Sequence, residues 1–210
     1  REELKRRVQM RTLELGQERA RLAAAQQLAR LGSWQWDVEA DLVTWSDELY
    51  RIFGRERAEF GASYAAFLES VHPADKSRMQ DVIRRSLESR EGFQCLHRIV
   101  AKGVTRHVES RATLQLGADG RVLRMLGTAQ DVTEREEQQA KLRESDAFFE
   151  LSLDMLSTAD LRGCFRRVNP AFGLLGYSED ELLTKPFLDF VHPDDVARTL
   201  EEVKKLSQGI

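Results

Sequence analysis

Apolar residues recur at seven-residue steps through the first thirty positions, at Val8, Leu15, Leu22 and Ala29, on a strongly charged background. Leu4 and Ala25 fall on the complementary seam, which Arg11 and Glu18 interrupt. One apolar seam beside one polar seam predicts a helix over residues 1–29 that pairs weakly with a second copy as a coiled coil, with Val8, Leu15 and Leu22 at the dimer interface. A solvated helix with one apolar stripe is the plainer reading. The coiled coil is preferred because nothing nearby in the sequence would otherwise bury that stripe.

The period then changes from seven to two. In Ser33-Trp34-Gln35-Trp36-Asp37-Val38 every second residue is apolar, and Val43 and Trp45 resume the alternation after a turn at Glu39-Ala40-Asp41. Ser46 is placed to cap a short helix running to Phe53 and stopped by Gly54. Tyr64–Ser70 reads as another short helix, and His72-Pro73 opens a longer one to Ser89. Three strands follow, Phe93–Val100, Thr105–Leu116 and Val122–Gln130, joined at the tight-turn dipeptides Lys102-Gly103 and Asp119-Gly120, of which the second carries the stronger hairpin signal. Two strands, several helices and three strands make an α+β fold, a five-stranded antiparallel sheet with helices on one face. Thr133 and Glu136 have capping-box spacing, so a helix starting at Thr133 is expected to run through the charged stretch Glu134–Glu144 and as far as Leu156, with residues 134–154 as a linker helix.

The chain then repeats itself. Phe67-Leu68-Glu69-Ser70-Val71-His72-Pro73-Ala74-Asp75 matches Phe187-Leu188-Asp189-Phe190-Val191-His192-Pro193-Asp194-Asp195, 120 residues on. Tyr50-Arg51-Ile52-Phe53-Gly54 matches Phe172-Gly173-Leu174-Leu175-Gly176, 122 residues on. A unit this long is a duplicated domain rather than a solenoid repeat. The second copy, residues 155–210, is expected to hold only the first half of the unit, without the last three strands.

Composition narrows the function. The 32% charged share suits small domains joined by solvated helices, and a net charge of −3 with both signs interspersed leaves no basic footprint for nucleic acid. No apolar run reaches membrane-span length, and no signal peptide follows the charged start at Arg1–Arg7, so direct membrane contact is not expected. An anchor upstream of Arg1 stays open. Cys95 and Cys164 are far apart and lack a CxxC partner, which fits a reduced, cytoplasmic setting. No P-loop, HExxH, Gly-x-Ser-x-Gly, kinase or cyclase motif is present, so this fragment is not expected to be an enzyme.

In order and spacing the blocks resemble the PAS family, in the form with a trailing C-terminal (PAC-type) strand motif common in bacterial sensors. The residues are Gly32-Ser33-Trp34-Gln35-Trp36-Asp37, Trp45-Ser46-Asp47-Glu48-Leu49-Tyr50, Val71-His72-Pro73-Ala74-Asp75, His97-Arg98-Ile99-Val100 and Gly127-Thr128-Ala129-Gln130-Asp131-Val132-Thr133-Glu134-Arg135. Val168-Asn169-Pro170-Ala171-Phe172 and His192-Pro193-Asp194-Asp195 carry it in the second copy. The resemblance implies a first PAS domain over 30–133 and part of a second over 155–210. It further implies sensing of a small ligand, cofactor or redox state, dimerisation, and relay through flanking helices to an effector such as a histidine kinase or diguanylate cyclase. A ligand-free dimerisation and relay scaffold is the alternative. This sequence departs from the family where His97 and His107 replace an aromatic residue and Lys102 replaces Asp. It also lacks the Asn-Cys-Arg-Phe-Leu-Gln stretch of the photoreactive flavin type. No motif names a cofactor, and haem and other flavin sites stay open.

His72-Pro73 and His192-Pro193 could suggest metal or haem ligation, but the residue before a Pro at a helix start more often caps it. A two-residue turn at Lys102-Gly103 pairs His97 with Val108, both inward, and Arg98 with His107, both outward to water. His97 would then face a cavity between sheet and helices as a candidate ligand contact, with Cys95, Ser110, Met125, Trp36 and Trp45 on the same wall. Core packing is the competing reading for each. Asp131, Thr133 and Glu136 mark the exit of the signal, with Asp131 expected to fix strand to helix through a backbone bond or an Arg.

Overall fold

The computed structural model describes residues 2–58, 61, 63–160 and 162–207. The Leu4 side chain and Ile210, both used above, lie outside the described residues. The chain divides into two compact units, 1–137 and 138–210.

In the first unit, helix α1 (Glu2–Leu28) leads into strands β1 (Leu31–Asp37) and β2 (Leu42–Trp45), then helices α2 (Asp47–Phe53), α3 (Tyr64–Ser70) and α4 (Lys76–Ser89). Strands β3 (Phe93–Ala101), β4 (Val104–Leu116) and β5 (Val122–Asp131) complete the sheet. All pairings are antiparallel and the order is β2-β1-β5-β4-β3, so the first strand lies against the last. The inner face packs a core that includes Leu49, Phe53, Met79, Ile99, Val108 and Met125.

Local chemistry sets these boundaries. The Ser46 hydroxyl accepts from the Leu49 amide and caps α2, and Gly54 ends that helix in the left-handed region at φ 62°. Ser63 caps α3 in the same way. Two glycines permit close approach: a Cβ on Gly32 would lie 2.7 Å from the Leu49 side chain, and one on Gly127 would lie 2.5 Å from the Trp34 ring facing it across the sheet. Gly127 is thus required by the Arg111 carbonyl and the Trp34 ring beside it.

Several expectations are corrected. Helix α1 ends at Leu28, so Ala29 leaves the seam, and Arg30 turns the chain with φ 48°. The longer helix begins at Lys76, after a separate 3-10 turn over Pro73–Asp75. Lys102-Gly103 is the true two-residue hairpin turn, with both residues at positive φ and Ala101 paired to Val104. Asp119-Gly120 sits in a wider loop beside a register shift at Gln115/Leu116, closed by the Gly117 amide donating to the Arg121 carbonyl. Helix α5 (Thr133–Leu151) stops short of Leu156.

The second unit contains strands β6 (Ser157–Ala159) and β7 (Phe165–Val168) paired antiparallel, and helices α6 (Glu179–Thr184) and α7 (Val196–Ser207). Buried Asn169 holds its loop: its Oδ1 accepts from the Leu156 amide at 2.9 Å, and its Nδ2 donates to the Ser152 and Asp154 carbonyls. Ser178 and Glu181 form a complete capping box on α6. The repeat is visible in the backbone: Gly176, like Gly54, ends a helical turn at positive φ, and His192, like His72, starts a 3-10 turn that runs into a helix.

Candidate functional site

The first unit encloses a cavity of about 40 Å³ between the inner sheet face and the helices. Aromatic rings dominate its wall: Trp34, Trp36 and Trp45 from the sheet, Phe53 from α2, Tyr64 and Phe67 from α3, and Phe93 from β3. Met79, Met125 and Ser110 add two soft sulfurs and one hydroxyl. Trp36 stacks on Tyr64 with centroids 5.0 Å apart and planes 14° apart. Burial pushes the Tyr64 phenol above its ordinary value. A space of this size holds one or two waters, against roughly 300–1,000 Å³ for a ligand of drug size. Haem and flavin, left open by the sequence, do not fit the cavity as it is packed.

Of the residues named for ligand contact, Trp36, Trp45, Ser110 and Met125 line the cavity. His97 and Cys95 share the inner face but stand off it. The register is the expected one, His97 opposite Val108 and Arg98 opposite His107. His97 is 1% exposed, edge-on to Phe67 with centroids 6.2 Å apart, and neither ring nitrogen has a hydrogen-bond partner. Burial pushes its pKa down to about 4, against a weaker opposing pull from the Cys95 backbone. It is therefore a neutral imidazole in an apolar setting. Cys95 is buried too, and its sulfur accepts from Arg78 Nη1 at 3.2 Å while Arg78 Nη2 donates to the Leu96 carbonyl at 2.6 Å.

The sequence reading missed the main partner of the adjacent residue. Arg98 does not simply face water: its backbone amide and Nε both donate to Asp75 Oδ2, at 2.8 and 3.0 Å, and its Nη2 donates to Oδ1 at 2.7 Å. These bonds hold the buried Asp75 carboxyl well below the usual carboxylate range. The clamp ties the start of α4 to β3. Its only trace in sequence is a carboxylate after His-Pro and an Arg after His97, and no spacing rule connects the two. His107 also departs from expectation: it is half-buried with its Nδ1 buried and without a partner, and the β5–α5 junction bonds to its backbone.

That junction corrects the capping-box expectation. The Thr133 hydroxyl does not reach the Glu136 amide, which donates to the Val132 carbonyl. It accepts from the His107 amide on β4 at 3.0 Å and donates to Asp131 Oδ1 at 2.6 Å. Asp131 Oδ1 also accepts from the Thr133 amide, so Asp131 satisfies the first free donor of α5. The Glu136 carboxylate meets Arg135 instead of turning back on the helix start. Asp131 Oδ2 lies 3.8 Å from Arg106, and Arg106 Nη1 donates to the Arg51 and Ile52 carbonyls at the end of α2. The Asp131 amide donates to the Arg30 carbonyl, and Arg30 pairs with Glu134 at 3.4 Å. The chain therefore enters and leaves the sheet at one corner, stitched to the end of the helix whose Leu49 and Phe53 wall the cavity. Arg106 carries no motif and could not be found in the sequence alone.

Comparison with known proteins agrees with this architecture. Residues 42–129 match the family model described as the PAS fold. The chain is 27% identical over 177 residues to the probable diguanylate cyclase DgcE of Escherichia coli K12, covering 82% of this chain and 16% of that protein. It is 25% identical over 159 residues to the sensor protein FixL of Bradyrhizobium diazoefficiens, covering 73% and 31%. A solved structure of a sensory box histidine kinase/response regulator from Burkholderia thailandensis E264 aligns with TM-score 0.51 and 28% identity, over 60% of this chain and 95% of that one. The first unit has a PAS fold over the matched residues, and the chain spans less than a third of either curated relative. No described helix is long and apolar enough to cross a membrane.

Proposed function

We propose that this chain is a sensory module whose first PAS unit reads a small ligand in its aromatic cavity and passes the result through α5 to an effector domain elsewhere in a longer protein. The observation that carries this reading is Arg106. One guanidinium binds the end of the cavity-wall helix α2 and lies beside Asp131, which holds the start of the outgoing helix. A ligand that moves α2 changes that grip. A ligand shifts such an equilibrium only by its differential affinity for the two states, commonly about 1–3 kcal/mol. The loss of one charge-assisted bond has comparable size. The test is Arg106→Ala in the longer protein, with effector output measured with and without its signal. The expected result is a switching ratio reduced about fivefold or more. An unchanged amplitude and threshold would remove Arg106 from the relay.

A second reading, a ligand-free dimerisation and relay scaffold, is favoured by one fact: the cavity is small as packed. Both readings use α1 for pairing. Val8, Leu15 and Leu22 are all more than half exposed along it, as are Met10 and Leu13. Leaving such a stripe in water is costly, and a parallel partner helix buries it. Leu15→Lys with Leu22→Lys is expected to halve the mass in light scattering, and a mass that does not change between the two proteins would end the coiled-coil proposal. The repeat in the second unit is read as part of a second PAS domain, supported by His192 starting a 3-10 turn that runs into a helix as His72 does.

A further inference from the structure

Asp41 lies outside the cavity and holds two parts of its wall. It sits in the left-handed region at φ 46°, which aspartate tolerates better than most residues, and this places its carboxylate between β1 and α3. Its Oδ1 accepts from the Trp36 indole Nε1 at 2.9 Å and from the Tyr64 backbone amide at 3.3 Å. Trp36 and Tyr64 are the stacked pair, and both are half-buried while lining the cavity, so the stack separates the cavity from solvent. One exposed carboxylate oxygen thus holds both leaves of the wall. A carboxylate at the surface keeps its hydration when these bonds break, so opening is inexpensive.

The lining defines what can enter. Among the described residues no charged side chain lines the cavity, and an ionised ligand would be buried there without a counter-ion, which is prohibitive. The wall is mainly π surface and thioether, with Ser110 the one aliphatic hydroxyl. At about 40 Å³ the closed cavity is smaller than the roughly 150 Å³ that holds a benzene ring, so a ring enters only if the stack parts. We propose that the Trp36–Tyr64 stack is a gate latched by Asp41, and that it admits a neutral single-ring aromatic compound carrying at most one hydroxyl. This rests on the reading of the cavity as the sensing site and names its ligand class.

The experiment uses this chain with phenol, toluene and benzoate as probes, followed by amide NMR. Saturable shifts at Ser110 and Met125 with phenol and toluene, and none with benzoate, are expected. Asp41→Ala is expected to speed both association and dissociation about tenfold, the effect of losing exposed hydrogen bonds to a carboxylate that water partly replaces, with affinity changed far less. Asp41→Asn keeps the acceptor oxygen and is expected to restore the slow exchange. That rescue separates a latch from a general loosening of the fold. Binding of benzoate as tight as that of toluene overturns the ligand class. Toluene exchange rates equal in the native chain and Asp41→Ala overturn the latch, and absence of both neutral ligands in both proteins overturns the proposal entirely. None of these readouts depends on an effector, so relay through Arg106 stands or falls separately.

Discussion

Val71-His72-Pro73-Ala74-Asp75 and Val191-His192-Pro193-Asp194-Asp195 begin in the same way and end in different surroundings. In both, the histidine Nδ1 accepts from the amide two residues on, at 3.3 Å and 3.4 Å, and proline opens a 3-10 turn that passes into a helix. Both histidines are helix-start caps. The difference begins at the final aspartate. Asp75 is 7% exposed and held by three bonds from Arg98 on β3, whereas Asp195 remains exposed. The same contrast runs through the two units. The first buries a continuous core under five strands. The second has two strands among its described residues, buries Val168, Leu182 and Asn169, and leaves Leu174, Leu175 and Leu200 exposed. A local motif therefore fixes a local turn, and a strand from elsewhere decides whether that turn becomes a structural joint.

The largest expected effect breaks this contrast directly. Asp75→Ala leaves the Arg98 amide and guanidinium without their acceptor beside the buried start of α4. Because the Arg98 side chain is more than a third exposed, water replaces part of what is lost, and the expected cost is about 1–3 kcal/mol. Asp195→Ala is expected to change stability by no more than about 0.5 kcal/mol. All three tryptophans lie between residues 34 and 45, so tryptophan fluorescence during urea unfolding reports the first unit, and far-UV circular dichroism follows the whole chain. Equal effects of the two substitutions would show that the clamp adds nothing to the turn.

A smaller effect sharpens the comparison through pH. His97 is buried and its folded pKa is depressed to about 4, below the ordinary 6.5. The unfolded chain therefore binds the proton more tightly. The stability is fully present above pH 6.5 and is lost as pH falls from 6.5 toward 4, by about 2 kcal/mol at pH 5. Asp75 does not confuse this window, because its depressed value means it stays ionised throughout it. His97→Phe is expected to flatten the pH dependence of the tryptophan-detected transition between pH 6.5 and 5. His192→Phe, at an exposed site, is expected to leave it in place. A slope that persists in His97→Phe would assign the titration to another group.

Much of this was legible in the sequence because it depends on neighbours in the chain. The period-two runs gave β1 and β2, Ser46 and Gly54 bounded α2, and Lys102-Gly103 with its flanking strands set the register that turns His97 inward. That Trp36, Trp45, Ser110 and Met125 line the cavity follows from that register, since alternate strand residues share a face. The errors also have local causes. Thr133 and Glu136 have the spacing of a capping box, but a β4 amide 26 residues away competes for the hydroxyl and wins. His97 does face inward, yet direction alone does not place it on the cavity, and it stands edge-on to Phe67 off the lining.

The sequence by itself determined the order of elements, the inward and outward faces of each strand and the existence of the repeat, because hydrophobic period, turn residues and caps act over a few positions. Only the tertiary structure decided that Asp75 meets Arg98, that Arg106 joins α2 to Asp131, that Asp41 holds Trp36 to Tyr64, and that the cavity closes to about 40 Å³. Each of these joins groups that are distant in the chain or depends on the packing of several elements at once. Their geometry is set by how the sheet and helices fill space together, and no spacing along one chain encodes it.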